Sequence, residues 1–136
     1  MTDTHSFQAV ILIVEDEALL RMSLADSLRD CGFLPIEACN ADEAVEILEM
    51  DVEIDVVLTD VRMPGNMDGF GLAKWIRENR PELPVFVASG YSGKFDLAEE
   101  LCASEAYFTK PFNVSEVAPK LKAAAHARRL KYGKLI

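Results

Sequence analysis

The chain has 136 residues, of which 50% are hydrophobic, and its formal net charge is −9. This length is typical of one domain with its own core, no apolar run is long enough to span a membrane, and the negative charge argues against general nucleic-acid binding. The first residues do not resemble a signal peptide, and Cys31, Cys39 and Cys102 lack C-x-x-C spacing. We therefore interpret the cysteines as buried thiols in a reducing compartment and expect a cytoplasmic protein.

After a polar N-terminus at residues 1–8, which we expect to be disordered, apolar runs alternate with helical periodicity. Short apolar runs bounded by turn residues predict five strands, over residues 9–14, 33–38, 54–59, 85–89 and 106–109. Apolar residues at helical spacing predict a helix after each strand, near residues 17–31, 41–48, 70–80, 94–102 and 114–130. Five β-α units joined by right-handed crossovers predict a five-stranded parallel sheet with helices on both faces.

Several residues mark the predicted helix boundaries. Gly32 ends the first helix, and Pro81 ends the third. Asn40 and Asn113 are placed to cap the second and last helices, each with a glutamate three residues later as its capping-box partner. The apolar face of the first helix is predicted from the spacing of Leu19, Leu20, Met22, Leu24 and Leu28.

Reactive side chains follow four of the predicted strands. Glu15 and Asp16 follow the first, Asp60 ends the third, Ser89 ends the fourth and Lys110 follows the fifth. Taken singly, each has an ordinary structural explanation as a helix cap, a turn residue or a solvated lysine. Because ligands bind outside the carboxyl ends of parallel strands, their coincidence predicts a site at that edge of the sheet.

Three carboxylates and a lysine at one edge indicate a particular chemistry. Crowded carboxylates raise one another's pKa, and a hard divalent cation such as Mg²⁺, which prefers oxygen ligands, relieves their repulsion. Such a cation can neutralise charge on a phosphoryl group in transit. An aspartate can accept that group as an aspartyl phosphate, and Lys110 and Ser89 could bind its oxygens.

Five segments, in this order, resemble the receiver domain of the two-component response regulator family. They are spread from about residue 10 to residue 125, so the resemblance covers nearly the whole chain. The segments are Ile13-Val14-Glu15-Asp16-Glu17, Leu58-Thr59-Asp60-Val61-Arg62-Met63-Pro64, Met67-Asp68-Gly69, Ala88-Ser89-Gly90 and Thr109-Lys110-Pro111-Phe112.

The resemblance implies that Asp60 is the phosphoacceptor and that Mg²⁺ (or Mn²⁺) is the cofactor. It implies that the metal is held by Asp60, by Asp16 directly, by Glu15 directly or through water, and by the backbone carbonyl of Arg62. It also implies the flavodoxin-like sheet order 2-1-3-4-5.

The resemblance further implies that Lys110 pairs with the phosphoryl group and is joined to Pro111 by a cis peptide bond, which is chemically plausible before proline. Ser89 and Tyr107 stand where the family has its switch hydroxyl and its rotating aromatic ring. Tyr91 follows the switch residue closely and could share the role of Tyr107. The sequence Ser89-Gly90-Tyr91 resembles a subset of receivers found in hybrid kinases and stand-alone regulators.

We predict a receiver domain over residues 9–131 and a C-terminal tail over 132–136. No output domain is expected after the last helix, so the chain is interpreted as a single-domain regulator or a receiver cut from a longer protein. Six basic residues crowd the C-terminus. We interpret them as a solvated helix face, with a docking surface for an acidic partner as the alternative; they are Lys120, Lys122, Arg128, Arg129, Lys131 and Lys134.

The resemblance implies a phosphorylation-activated signalling switch. Asp60 would accept a phosphoryl group from a histidine kinase or a phosphotransfer protein. The domain would then change conformation to control partner binding, and it would lose the group by slow autodephosphorylation. We expect self-phosphorylation without turnover of an external substrate, and no direct binding to DNA or membranes. The sequence does not identify the target protein, and homodimerisation is left open. The alternative is a phosphorylation-independent protein-binding module with the same fold, and a Mg²⁺-dependent phosphatase is more distant.

Overall fold

A computed structural model of the protein describes residues 8–89 and 107–132. In these residues the strands are β1 Val10–Val14, β2 Leu34–Ala38, β3 Val56–Asp60, β4 Val85–Ser89 and β5 Tyr107–Thr109. The helices are α1 Ala18–Asp30, α2 Ala41–Leu48, α3 Gly69–Asn79 and α4 Val114–Tyr132. The helix predicted at residues 94–102 lies outside the described part of the chain, as do Tyr91 and Cys102.

All five strands pair in parallel, in the order β2-β1-β3-β4-β5. This confirms the predicted fold class and strand order. Side chains of β1 alternate between the two faces of the sheet, so Ile11 and Ile13 pack with α1 and α4 whereas Leu12 and Val14 pack with α2 and α3. Of the described helices, none is long and apolar enough to cross a membrane.

The prediction for the buried face of α1 was wrong for three of its five residues. Leu19, Leu20 and Met22 are 81%, 51% and 54% exposed. The helix instead contacts the sheet through Ala25 and Leu28, which are buried one turn apart. At about 100° per residue, Leu19 lies on the opposite side of the helix from this pair.

The two cysteines that the structure describes also depart from their prediction as buried thiols. Cys39 is exposed and Cys31 is half-buried. Cys39 is exposed because it directly follows β2, which is an edge strand, and so lies outside the layered core. It donates its backbone N–H to the Glu43 carboxylate at 2.6 Å, while the Asn40 side chain accepts from the backbone N–H of Glu43 at 2.8 Å.

Two of the basic C-terminal residues are not part of a solvated face, because a buried aspartate binds them. Asp55 is fully buried just before β3. Its carboxylate accepts hydrogen bonds from the backbone N–H of Val10 at 2.8 Å, from Arg128 at 3.1 Å and from Arg129 at 2.9 and 2.7 Å. Glu53 also pairs with Arg128. This buried ion-pair cluster fastens the last turns of α4 to the amino ends of β1 and β3.

Removing the centre of this cluster should cost much of the protein's stability. We expect Asp55→Ala to lower the free energy of unfolding by about 3–5 kcal/mol, because two arginines then lose a buried counter-charge. The matched control is Asp26→Ala, which breaks the exposed Asp26–Arg29 pair and should cost less than about 1 kcal/mol. Urea denaturation measures both values; equal small losses would show that the cluster does not hold α4.

Candidate functional site

Neighbouring strands bring the three predicted carboxylates together. Glu15 directly follows β1 and Asp60 ends β3, and these strands are paired with Val14 opposite Thr59. One carboxylate oxygen from each of Glu15, Asp16 and Asp60 lies within 4.8 Å of the others. Glu15 is buried, Asp60 is partly buried and Asp16 is exposed. The cluster therefore has a closed inner side and an open outer side.

Lys110 reaches the same cluster from the end of β5. Its ammonium lies 3.3 Å from a carboxylate oxygen of Glu15 and 3.3 Å from one of Asp60. The predicted cis peptide bond between Lys110 and Pro111 is present. The backbone N–H of Lys110 donates to the carbonyl of Ser89 at 2.8 Å, which ties the end of β5 to the end of β4.

Burial and charge act against each other in this site. Burial raises the pKa of the Glu15 carboxyl, and the nearby charge of Asp60 adds to that effect, although a backbone hydrogen bond and Lys110 oppose it. Burial would lower the pKa of the Lys110 ammonium, but the charges of Asp60 and Glu15 outweigh burial and raise it. Lys110 is therefore a permanent cation at neutral pH, beside a carboxylate whose charged form is disfavoured.

The backbone around Asp60 allows a very close approach by the start of α3. The backbone N–H of Gly69 donates to the carbonyl of Val61 at 2.8 Å. A Cβ atom built on Gly69 would lie 2.1 Å from the carbonyl oxygen of Asp60, so only glycine fits here without a shift of the backbone. The Asp68 side chain caps the same helix by accepting from the N–H of Gly71 at 2.8 Å. The helix was predicted to begin near residue 70, so these contacts of Asp68 and Gly69 were not foreseen, although Asp-Gly before a helical pattern is a signal for such a cap.

The remaining predicted site residues lie in different elements of the fold. Ser89 is buried at the end of β4, and Tyr107 begins β5 opposite Val87, half-buried against the α3 side of the sheet. Arg62 is exposed in the loop after β3. Tyr91 lies outside the described residues.

A cavity of about 500 Å³ opens beside the carboxylates, between α1 and the start of α4. This cavity was not predicted, because the α1 leucines were expected to lie in the core. Glu15 and Lys110 form its polar end. The other residues that line it are Leu20, Ser23, Leu24, Ser27, Pro111, Phe112 and Val114.

The sequence profile of the response regulator receiver domain matches residues 11–122, which contain the four site residues Glu15, Asp16, Asp60 and Lys110. The chain belongs to the response regulator receiver family. It is therefore a receiver domain of the two-component response regulators, as the sequence resemblance predicted.

The receiver domain has relatives in several kinds of protein. It is 39% identical over 117 residues to the transcriptional regulatory protein PdtaR of Mycobacterium tuberculosis, covering 84% of this chain and 55% of PdtaR. It is 35% identical over 120 residues to the sensor kinase CckA of Brucella abortus, covering 86% of this chain and 12% of CckA. The chain thus spans about half of the first relative and a small part of the second.

Solved structures agree with the fold of the receiver domain. The response regulator TrrA of Thermotoga maritima, solved in complex with Mg²⁺-BeF, superposes with a TM-score of 0.75 at 28% identity. The superposition covers 86% of this chain and 99% of TrrA. The two proteins therefore share a fold over almost the entire TrrA chain.

The raised pKa of Glu15 predicts a pH dependence of stability. A carboxyl whose pKa is raised by folding contributes stability below its ordinary pKa of 4.5, and this contribution is lost as the pH rises through the raised value. In metal-free buffer, the melting temperature of Glu15→Gln should therefore rise relative to that of the wild type as the pH rises from 4.5 to neutrality.

The control for this measurement is Glu82→Gln, because folding shifts the pKa of Glu82 in the opposite direction to that of Glu15. Burial would raise the pKa of Glu82, but its hydrogen bond from Arg80 and further interactions lower it. Its contribution is therefore complete above the ordinary pKa of 4.5 and is lost only at lower pH. From pH 4.5 to neutrality, Glu82→Gln should differ from the wild type by a constant melting temperature. If the melting temperatures of Glu15→Gln and wild type differ by the same amount at every pH, the pKa of Glu15 is not raised by folding and the prediction is wrong.

Proposed function

We propose that the protein is a phosphorylation-controlled signalling switch in which Asp60 accepts a phosphoryl group from a histidine kinase or a phosphotransfer protein. One observation carries the proposal: three carboxylates with oxygens within 4.8 Å of one another, together with a lysine 3.3 Å from two of them. Such crowding of like charges destabilises the folded protein unless a bound cation neutralises part of the charge.

The donor set fits Mg²⁺ or Mn²⁺. Hard divalent cations take carboxylate and carbonyl oxygens and keep several waters, and the exposed Asp16 leaves the outer side of the cluster open to such waters. Glu15, Asp16 and Asp60 would hold the ion, with the backbone carbonyl of Arg62 as a further ligand. The bound ion would supply positive charge beside the phosphoryl oxygens. TrrA, at 28% identity, was solved in complex with Mg²⁺-BeF.

Asp60 is the nucleophile of the proposed transfer. A bond forms between a carboxylate oxygen of Asp60 and the donor phosphorus, while the bond from phosphorus to the donor's imidazole nitrogen breaks. The electron pair returns to the imidazole, which takes a proton from solvent. Lys110 would pair with the transferred group, because its ammonium already lies 3.3 Å from Asp60 and stays protonated. Slow autodephosphorylation is the attack of water on the same phosphorus, which releases inorganic phosphate.

The conformational response is proposed to run through Ser89 and Tyr107, with Tyr91 sharing the role of the aromatic ring. Ser89 ends β4 beside the β5 end that delivers Lys110, and this position supports a role for its hydroxyl in binding a phosphoryl oxygen. Movement of this hydroxyl would free space between β4 and β5, and Tyr107 lies on β5 two residues before Thr109, the pairing partner of Ser89. Phosphorylation then shifts the population between two packed arrangements.

A second function, phosphorylation-independent protein binding, is favoured by the largely apolar cavity beside the site, whose lining includes the exposed Leu20. Leu19 on the same helix is exposed as well. Under that alternative the fold presents a binding surface and the carboxylates carry no phosphoryl group. Turnover of an external substrate, as in a phosphatase, is not part of either function. The cytoplasm is the compartment where both would operate, and homodimerisation is compatible with each.

The chemistry can be tested with acetyl phosphate as a small phosphodonor. With Mg²⁺, the wild type should gain one base-labile phosphoryl group, located on Asp60 by mass spectrometry. Asp60→Asn should lose this label, and Lys110→Met should take it up more slowly by a factor on the order of 10². The control is Asp68→Asn, which removes a nearby exposed carboxylate but keeps an amide oxygen to cap α3.

The outcomes separate the two functions. Equal labelling of Asp60→Asn and wild type would show that Asp60 is not the acceptor. A wild type that stays unlabelled with several donors, while Mg²⁺ is present, would favour the binding module instead.

A further inference from the structure

Arg21 connects three elements of the structure from the first turn of α1. One guanidinium nitrogen donates to the backbone carbonyl of Glu15 at 2.9 Å, and another donates to the carboxylate of Glu37 at 3.0 Å. Glu37 belongs to the edge strand β2, and only 18% of the Arg21 side chain is exposed. The planar guanidinium thus joins the β1–α1 connection to the sheet edge.

The carbonyl bound by Arg21 belongs to the peptide unit that links Glu15 to Asp16. Because a peptide unit is planar, holding its oxygen restricts rotation on both sides of it, at ψ of Glu15 and φ of Asp16. The neighbouring backbone is held as well: the N–H of Glu15 donates to the carbonyl of Ala38 at 3.1 Å, and the N–H of Glu17 donates to the Glu15 carboxylate at 3.0 Å.

This restraint is useful because the start of α1 has no side-chain cap. Glu17 is the N-cap residue, but its side chain makes no capping hydrogen bond, and the first turn holds no acidic residue. Asp16 is exposed and precedes this uncapped helix. Without Arg21, the peptide unit between the two acidic residues would keep fewer of its restraints.

We propose that Arg21 is a positioning residue for metal binding: it fixes the peptide unit between Glu15 and Asp16 so that both carboxylates point into one cation site. This inference rests on the proposed function, since it assigns Arg21 to the Mg²⁺ site. Contacts that orient metal ligands without touching the metal typically change metal affinity by about 10–100-fold when removed.

The sign of the effect separates positioning from simple electrostatics. Arg21 carries a positive charge near the carboxylates, and removing a positive charge near a cation site strengthens cation binding by Coulomb's law. A role through charge alone therefore predicts tighter Mg²⁺ binding in Arg21→Ala. Positioning predicts weaker binding, because the two ligands are no longer held in one arrangement.

The test is isothermal titration of Mg²⁺ into the metal-free protein, without a phosphodonor. We expect Arg21→Ala to weaken Mg²⁺ binding by about 10-fold or more. Arg21→Lys keeps the charge, but one ammonium cannot reproduce the fork that spans two acceptors, so it should also bind Mg²⁺ more weakly. The matched control is Arg29→Ala on the same helix, whose exposed pair with Asp26 is remote from the carboxylates; it should leave the affinity unchanged.

A second readout distinguishes positioning from a general loss of structure. In acetyl phosphate labelling, the Mg²⁺ concentration for half-maximal rate should rise in both Arg21 variants, while the rate at saturating Mg²⁺ should return close to that of the wild type. Wild-type or tighter Mg²⁺ affinity in folded Arg21→Ala, or a wild-type affinity in Arg21→Lys, would overturn the inference. A wild type that binds no Mg²⁺ would overturn the proposed function as well.

Discussion

Repulsion among Glu15, Asp16 and Asp60 is the constraint on which the rest of the site depends. Two of these carboxylates follow one central strand and the third ends its neighbour, so the fold does not let them separate. Lys110 lies between Glu15 and Asp60 and offsets part of the repulsion. One ammonium against three carboxylates leaves an excess of negative charge. Burial raises the pKa of Glu15, and the nearby charge of Asp60 raises it further.

The scaffold holds β1 and β3 at their amino ends, and it holds β3 at its carboxyl end as well. At the amino ends, the buried Asp55 binds the backbone of Val10 and two arginines of α4. At the carboxyl ends, the close approach of Gly69 to the carbonyl of Asp60 fixes the backbone after β3. The same strands that carry Glu15 and Asp60 are thus anchored at the opposite edge of the sheet. Such rigid support suits a site that must keep like charges close together.

Much of the fold followed from the sequence because β1, β3 and β4 are mainly apolar runs between turn residues. The five strands and the edge shared by Asp60, Ser89 and Lys110 were predictable for this reason. The strand order and the cis bond before Pro111 came from the family resemblance rather than from periodicity. The face of α1 was predicted wrongly, because Leu19 and Leu20 are apolar without being in the core.

Other features needed three-dimensional distances. Arg128 and Arg129 looked like solvated charges, since their partner Asp55 is more than seventy residues away in the chain. The contact between Arg21 and the carbonyl of Glu15 involves a backbone atom, which leaves no mark in residue type or spacing. Tyr91 keeps its predicted role as a proposal, because it lies outside the described residues.

The most direct test of the account is a comparison of thermal melts of wild type and Asp60→Asn, with and without Mg²⁺. Without metal, Asp60→Asn should melt higher, because one charge of the crowded cluster is gone. With Mg²⁺ at a hundredfold excess over its Kd, the wild type should gain about 2.7 kcal/mol of stability, and Asp60→Asn should gain less. If Asp60→Asn melts lower than the wild type and Mg²⁺ shifts neither protein, the three carboxylates do not act as one cation site and the account is wrong.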